Sequence, residues 1–308
     1  RLARVLGASG RALLWVGVLV LLFVAYQLWG TSLQTAQSQN DAERAFRQAA
    51  QRIDDPRVGA PDRGDGPTAA TDDAAVSSIP APASDGELLG LIEMPAIGAD
   101  WYLYEGVGLD VLQGGPGHYT GTSLPGQPGN ASIAGHRTTY GAPFNRIDEL
   151  GSGDEIVITY PSGATFTYDY RSTEIVRPDQ VEVLQDNDFD GDGEVDDMLT
   201  LTACHPKYSA RERIIVRARL REAPIPRPPG QQRRPPTSFD DAVGVSGDPV
   251  SNAPAVLWGI ATGMIWLAAF VVGRAWRKWP TYILGLPFFL AALYVFFENF
   301  YALLPPGF

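Results

Sequence analysis

A small, mainly β barrel or sandwich flanked by membrane helices is the architecture this sequence predicts. Two observations point to it. Residues 86–220 break into short apolar or aromatic runs bounded by Gly and Pro, the pattern of many short strands with little helix. Outside them lie three apolar stretches of about 20 residues, each long enough to cross a bilayer core.

Taken in order, residues 1–11 carry Arg1, Arg4 and Arg11 and precede the apolar run 12–29, "ALLWVGVLVLLFVAYQLW". That run is long for a signal peptide and no A-x-A cleavage site follows it, so a retained transmembrane helix is expected. Residues 30–85 are rich in Ala, Asp, Gln, Pro and Arg, predicting a short helix over 40–54 and then a flexible extracellular tether. The compact domain occupies 86–220. Within it "LLGLIEMPAIG", "WYLYEG", "NASIAGHR", "DEIVITYPSGATFTYDYRSTEIV", "MLTLTAC" and "RIIVRARL" read as strands, with "YPSGATF" a hairpin turn. Residues 221–252 are Pro-rich and predict a stiff linker. Two further transmembrane helices, 253–273 and 280–297, enclose the basic turn 274–279 with Arg274, Arg277 and Lys278, and 298–308 close the chain. The positive-inside rule puts residues 1–11 and 274–279 in the cytoplasm, and 30–252 and 298–308 outside.

The chain has 35 acidic against 24 basic side chains, a formal net charge of −11, which argues against a nucleic-acid partner. Its single cysteine, Cys204, excludes an intramolecular disulfide framework. In "MLTLTAC" strand alternation puts Leu199, Leu201 and Ala203 on one face and Thr200, Thr202 and Cys204 on the other. The thiol is therefore expected at an accessible strand end, with Thr200 and Thr202 beside it as candidate substrate contacts. A free cysteine is most often a small buried hydrophobe, but that would need Cys204 on the apolar face.

A nucleophilic thiol needs a proton acceptor and a stabiliser for the oxyanion. The chain's three histidines, His118, His136 and His205, all lie in this domain, and His136 sits where a strand-like run meets a Gly and polar turn residues. In "ARERIIVRARL" both Arg211 and Arg213 are candidates for the oxyanion's cation.

These residues carry a family resemblance. "IAGHRTTYGAPF", "TLTACHP" and the arginine opening "RIIV" resemble the three signature segments of sortases, cysteine transpeptidases of Gram-positive surfaces. Ala203 stands where the family's T-L-x-T-C pattern has a threonine. The resemblance implies an eight-stranded β-barrel and a triad of His136, Cys204 and Arg213, the arginine that opens the final strand. It also implies a membrane-anchored enzyme that cleaves a C-terminal sorting signal of secreted proteins between Thr and Gly and transfers the acyl group to a cell-wall amine, without a required cofactor. "HRTTYGAPF" and "CHP" look most like class E, the actinobacterial housekeeping type, associated with Leu-Ala-x-Thr-Gly signals; Tyr140 matches a position linked to that preference. A pilus-polymerising sortase would be expected to carry an Asp-Pro-aromatic lid, absent from 30–85, and a papain-like hydrolase would place its histidine after the cysteine.

One segment lies outside these signatures. "DNDFDGDGEVDD", residues 186–197, follows the calcium-loop spacing, with Asp186, Asp188, Asp190, Asp192 (backbone), Glu194 and Asp197 as candidate ligands around Gly191. Calcium is thus the one ion the sequence suggests.

Overall fold

Eight strands close into a barrel in the order β1-β2-β3-β4-β7-β8-β6-β5. They are β1 Leu88–Met94, β2 Ala99–Glu105, β3 Gly117–His118, β4 Asn130–Ala134, β5 Glu155–Thr159, β6 Thr165–Val176, β7 Met198–His205 and β8 Glu212–Leu220. The structure is a computed structural model that describes residues 2–54, 84–227, 253–276 and 278–301. The expected tether 55–83 and most of the Pro-rich linker, 228–252, lie outside the described residues.

The β2–β3 and β4–β7 pairs are parallel and the others antiparallel. Alternation along each strand fills the barrel interior. Leu199, Leu201 and Ala203 of β7 join Ala131 and Ile133 of β4 and Ile214, Val216 and Ala218 of β8 in one buried cluster. Interior closure of this kind abolishes sheet edges and removes apolar area from water.

The helices are α1 Leu2–Ala25, α2 Thr31–Asp54, α3 Leu109–Gly114, α4 Ala253–Ala275 and α5 Lys278–Tyr301, with a π-helical turn at Tyr26–Gly30. Contacts divide the chain into two units, residues 1–31 with 247–306, and residues 32–246. In the first unit Tyr26, Leu293 and Phe297 form a small apolar cluster, with Phe23 packed against it. Ala253–Ala275 and Trp279–Phe300 are long and apolar enough to cross a membrane, slightly longer than the 253–273 and 280–297 expected.

In the second unit α2 contains the helix expected over 40–54 but begins at Thr31, which corrects the tether expectation for residues 31–39. It is a 24-residue helix, and its Thr35, Ser38, Gln39, Ala42 and Phe46 lie at helical spacing on one face. Thr35 Oγ1 donates to the Gln113 carbonyl (2.8 Å), Gln39 Nε2 to the carbonyls of Gly114 (2.9 Å) and Tyr102 (3.1 Å), and Tyr104 Oη to the Ser38 carbonyl (3.0 Å). The Tyr102 N–H returns to Gln39 Oε1 at 2.8 Å, and the Phe46 ring lies 5.6 Å from that of Tyr102. This segment is docked on the barrel through polar groups.

Candidate active site

Three adjacent strands set the site. Parallel pairing of β4 with β7 runs from Asn130↔Met198 to Ala134↔Thr202, and the Gly135 N–H continues it by donating to the Thr202 carbonyl at 3.1 Å. Carried two places past Ala134↔Thr202, the same register brings His136 beside Cys204. On the other side Cys204 pairs directly with Arg213 of β8, and His205 with Glu212. The thiol therefore lies on the middle strand of three, between an imidazole and a guanidinium, neighbouring strands being about 4.8 Å apart. Arg211 precedes β8 and is exposed, which leaves Arg213 as the arginine opposite the thiol.

His136 is partly buried, and its Nε2 is fully buried with no partner among the described residues. Its Nδ1 lies 3.3 Å from Thr139 Oγ1, and its ring packs on Tyr140 with centroids 5.0 Å apart. Burial pushes the imidazole down from its ordinary 6.5 to about 4, so it is neutral at pH 7 and able to accept a proton. Backbone devices fix this loop. A Cβ at Gly135 would sit 2.6 Å from the Phe144 ring, and Tyr140, Gly141 and Ala142 are all left-handed, with φ of 51°, 72° and 50°. Arg213 is aimed by its own loop, Nη1 donating to the carbonyls of Ala210 (2.9 Å) and Glu212 (3.1 Å). Its five-donor fork keeps further N–H groups for an oxyanion.

Comparisons with known proteins identify the family. A sortase-domain family model matches residues 92–221. Sortase SrtE2 of Streptomyces coelicolor is 30% identical over 230 residues, 70% of this chain and 81% of that protein. The chain belongs to the sortase family. Sortase SrtE1 of the same organism is 30% identical over 227 residues, but the chain spans only 57% of that protein's length. Among solved structures, sortase E from Streptomyces avermitilis is 31% identical, with 54% of this chain and 97% of that one covered at a TM-score of 0.40.

Within this sortase the other expected residues fall as follows. Thr200 and Thr202 share the face of Cys204, as alternation required, but neither is open to solvent: Thr200 Oγ1 donates to Asn130 Oδ1 (2.8 Å) and Thr202 Oγ1 lies 2.9 Å from Tyr119 Oη. The reading of that face as accessible is corrected for both threonines: Thr200 is 0% exposed and committed to a buried amide, and Thr202 is 2% exposed against the buried Tyr119 phenol. Tyr119, missed in the sequence, is buried behind the site, and burial pushes its phenol up to about 12. Ala203, at the departure from the family pattern, points into the barrel core, so a hydroxyl there would face inward. Tyr140 is 2% exposed and meets His136.

The other two histidines are engaged elsewhere. His118 is buried, its Nδ1 2.9 Å from Glu105 Oε2 and its Nε2 2.8 Å from the Ser123 carbonyl. His205 Nδ1 lies 3.1 Å from Arg137 Nη1.

The acidic loop folds differently from the calcium template. Asp186 Oδ1 accepts from the Asn130 N–H (2.7 Å) and Asp197 Oδ1 from the Gly129 N–H (2.8 Å), so both serve the loop before β4. The carboxylates that converge are Asp188, Asp190 and Asp196, within 4.8 Å of one another. Arg219 bridges two of them, Nη1 to Asp190 (2.8 Å) and Nη2 to Asp196 (2.7 Å), while Asp188 caps the Gly191 and Gly193 N–H groups. Asp192 accepts from the Glu194 N–H. Asp196 was passed over in the sequence because the template assigns no ligand to its position.

Proposed function

We propose that this sortase cleaves the sorting signal of secreted proteins between Thr and Gly and transfers the new C-terminus to a cell-wall amine. The observation that carries the proposal is the order His136, Cys204, Arg213 across β4, β7 and β8. Cys204 sulfur attacks the Thr carbonyl carbon while its proton passes to His136, and Arg213 donates to the oxyanion. The C–N bond then breaks, and the His136 imidazolium gives its proton to the departing glycine amine. In the second half an incoming amine attacks the thioester, His136 takes a proton from it, and that proton returns to the Cys204 sulfur as the thiolate leaves.

Class E is the subclass that the SrtE matches support, with Leu-Ala-x-Thr-Gly as the preferred signal and Tyr140 part of the loop that shapes the site. The two apolar C-terminal helices support membrane attachment; with 12–29 they make a multi-pass protein whose barrel lies on the extracellular face of an actinobacterial cell. Incubation with Leu-Ala-x-Thr-Gly and Leu-Pro-x-Thr-Gly peptides, with and without an amine, tests the proposal. A thioacyl adduct on the parent, none on Cys204→Ala, and an amide product with amine present are expected. Free acid as the sole product with amine present would instead mark a hydrolase.

A further inference from the structure

Arg137 follows His136 directly and is only 3% exposed, although arginine is almost never this buried unless paired. Its Nη2 lies 2.8 Å from Asp148 Oδ1, an ion pair with a carboxylate that remains 41% exposed. That pair alone would satisfy the charge. The remaining contacts reach toward the thiol: Nη1 donates to the main-chain carbonyl of Cys204 at 3.3 Å and to Nδ1 of His205 at 3.1 Å. From the other side, Asn145 Nδ2 donates to the Arg137 carbonyl (2.8 Å), and Lys207 Nζ donates to Asn145 Oδ1 (3.4 Å). The loop that carries His136 is thus tied to residues 204–207 at two points.

We propose that Arg137 is a positioning residue for acyl transfer, a clamp that fixes the Cys204 peptide and the His205 ring against the His136 loop. This role presupposes the sortase reaction proposed above and adds a residue outside the His136–Cys204–Arg213 set. A guanidinium does not lose its proton, so His205 Nδ1 accepts and the ring's proton is held on Nε2. The contact thereby selects the Nε2–H tautomer of His205 beside the thiol, with its Nδ1 lone pair occupied. The bond to the Cys204 carbonyl matters for the distance between thiol and imidazole, since a misplacement of about 1 Å costs roughly 10²-fold in rate.

The test uses the full chain in detergent micelles, with Arg137→Met, Arg137→Lys and Asp148→Asn compared with the parent. With a sorting-signal peptide, Arg137→Met is expected to lower kcat about 10²-fold while KM stays within about threefold. Arg137→Lys should recover part of that loss, because an ammonium reaches one acceptor but not the whole fork. Asp148→Asn, which keeps the guanidinium but loosens its anchor, should give a smaller fall in kcat. Unchanged kcat per folded molecule in Arg137→Met overturns the clamp, as does a rise in KM with kcat intact. If Arg137→Met fails to fold, full kcat in both other variants overturns it. A second readout needs no peptide: ring nitrogen-15 shifts of His205 should show a single Nε2–H tautomer in the parent and exchanging tautomers in Arg137→Lys or Arg137→Met. A parent that forms no thioacyl adduct refutes the reaction, whereas a mixed His205 tautomer in the parent refutes the clamp.

Discussion

Replacing His136 should flatten the acid side of the barrel's stability. Burial holds its imidazole at about 4, against 6.5 for an ordinary histidine. Between those values the unfolded chain binds the proton and the folded chain refuses it, so stability is complete above pH 6.5 and is lost as pH falls toward 4. A drop of about 2.5 in pKa, at about 1.4 kcal/mol each, sets a ceiling of about 3 kcal/mol. Part of the residue remains in contact with water, which reduces the expected loss to about 2 kcal/mol. The assay is urea unfolding at pH 7, 6, 5 and 4, read from the near-UV circular dichroism of the buried Tyr119, Tyr140, Tyr160 and Tyr168. His136→Gln lowers stability at pH 7, yet between pH 7 and 4 it should lose about 2 kcal/mol less than the parent. Parallel curves for the two proteins would refute the buried neutral imidazole. The same ionisation bears on catalysis: about one imidazole in a thousand is protonated at pH 7 in the free enzyme. The imidazole is therefore neutral at rest and free to take a proton during attack.

Three further outcomes are expected. Arg213→Lys should slow thioacyl formation by about 10²-fold, while Arg211→Lys leaves it near the parental rate; the reverse result would move the oxyanion role to Arg211. Calcium should raise the melting temperature through Asp188, Asp190 and Asp196, and Arg219→Gln should lower the half-saturating concentration by removing the guanidinium bound to Asp190 and Asp196; no shift in either protein up to about 10 mM would leave a loop braced by Arg219 alone. Gly141→Ala puts a Cβ 2.5 Å from the Trp101 ring at a left-handed position, whereas Gly163→Ala is also left-handed but meets nothing within 4 Å. Gly163→Ala should therefore cost about 1 kcal/mol of backbone strain, and Gly141→Ala clearly more, with loss of activity through Tyr140 and His136. Equal melting temperatures for the two variants would contradict the close approach.

How much was legible in the sequence depended on what kind of group made each contact. The strands of 86–220 announced themselves because their interior faces are apolar and alternate, and Leu199, Leu201 and Ala203 point inward as that alternation requires. The first turns of α2, before the helix expected over 40–54, did not, because they dock through polar groups: Thr35 and Gln39 donate to carbonyls of α3 and β2, and the Ser38 carbonyl accepts from Tyr104. The accessible face assigned to Thr200 failed for a related reason: alternation fixes which side a residue takes, but not that Asn130 waits there to bury it. Arg137 was hidden in plain view beside His136, since no spacing rule links it to Cys204, 67 positions away.

The catalytic line-up follows from the same alternation that fills the core. Cys204 faces outward because Leu199, Leu201 and Ala203 face inward, packed against Ile133 of β4 and Ile214 and Val216 of β8. A one-residue slip of β7 would turn the thiol into the barrel and put Thr200 and Thr202 into the apolar interior. Burying two hydroxyls there without partners, while setting two leucines against the Asn130 amide and the Tyr119 hydroxyl that now pair with the threonines, would cost several kcal/mol. The apolar residues of β7 thus hold the register that sets the cysteine between His136 and Arg213, and the active site needs no separate device to choose its strand face.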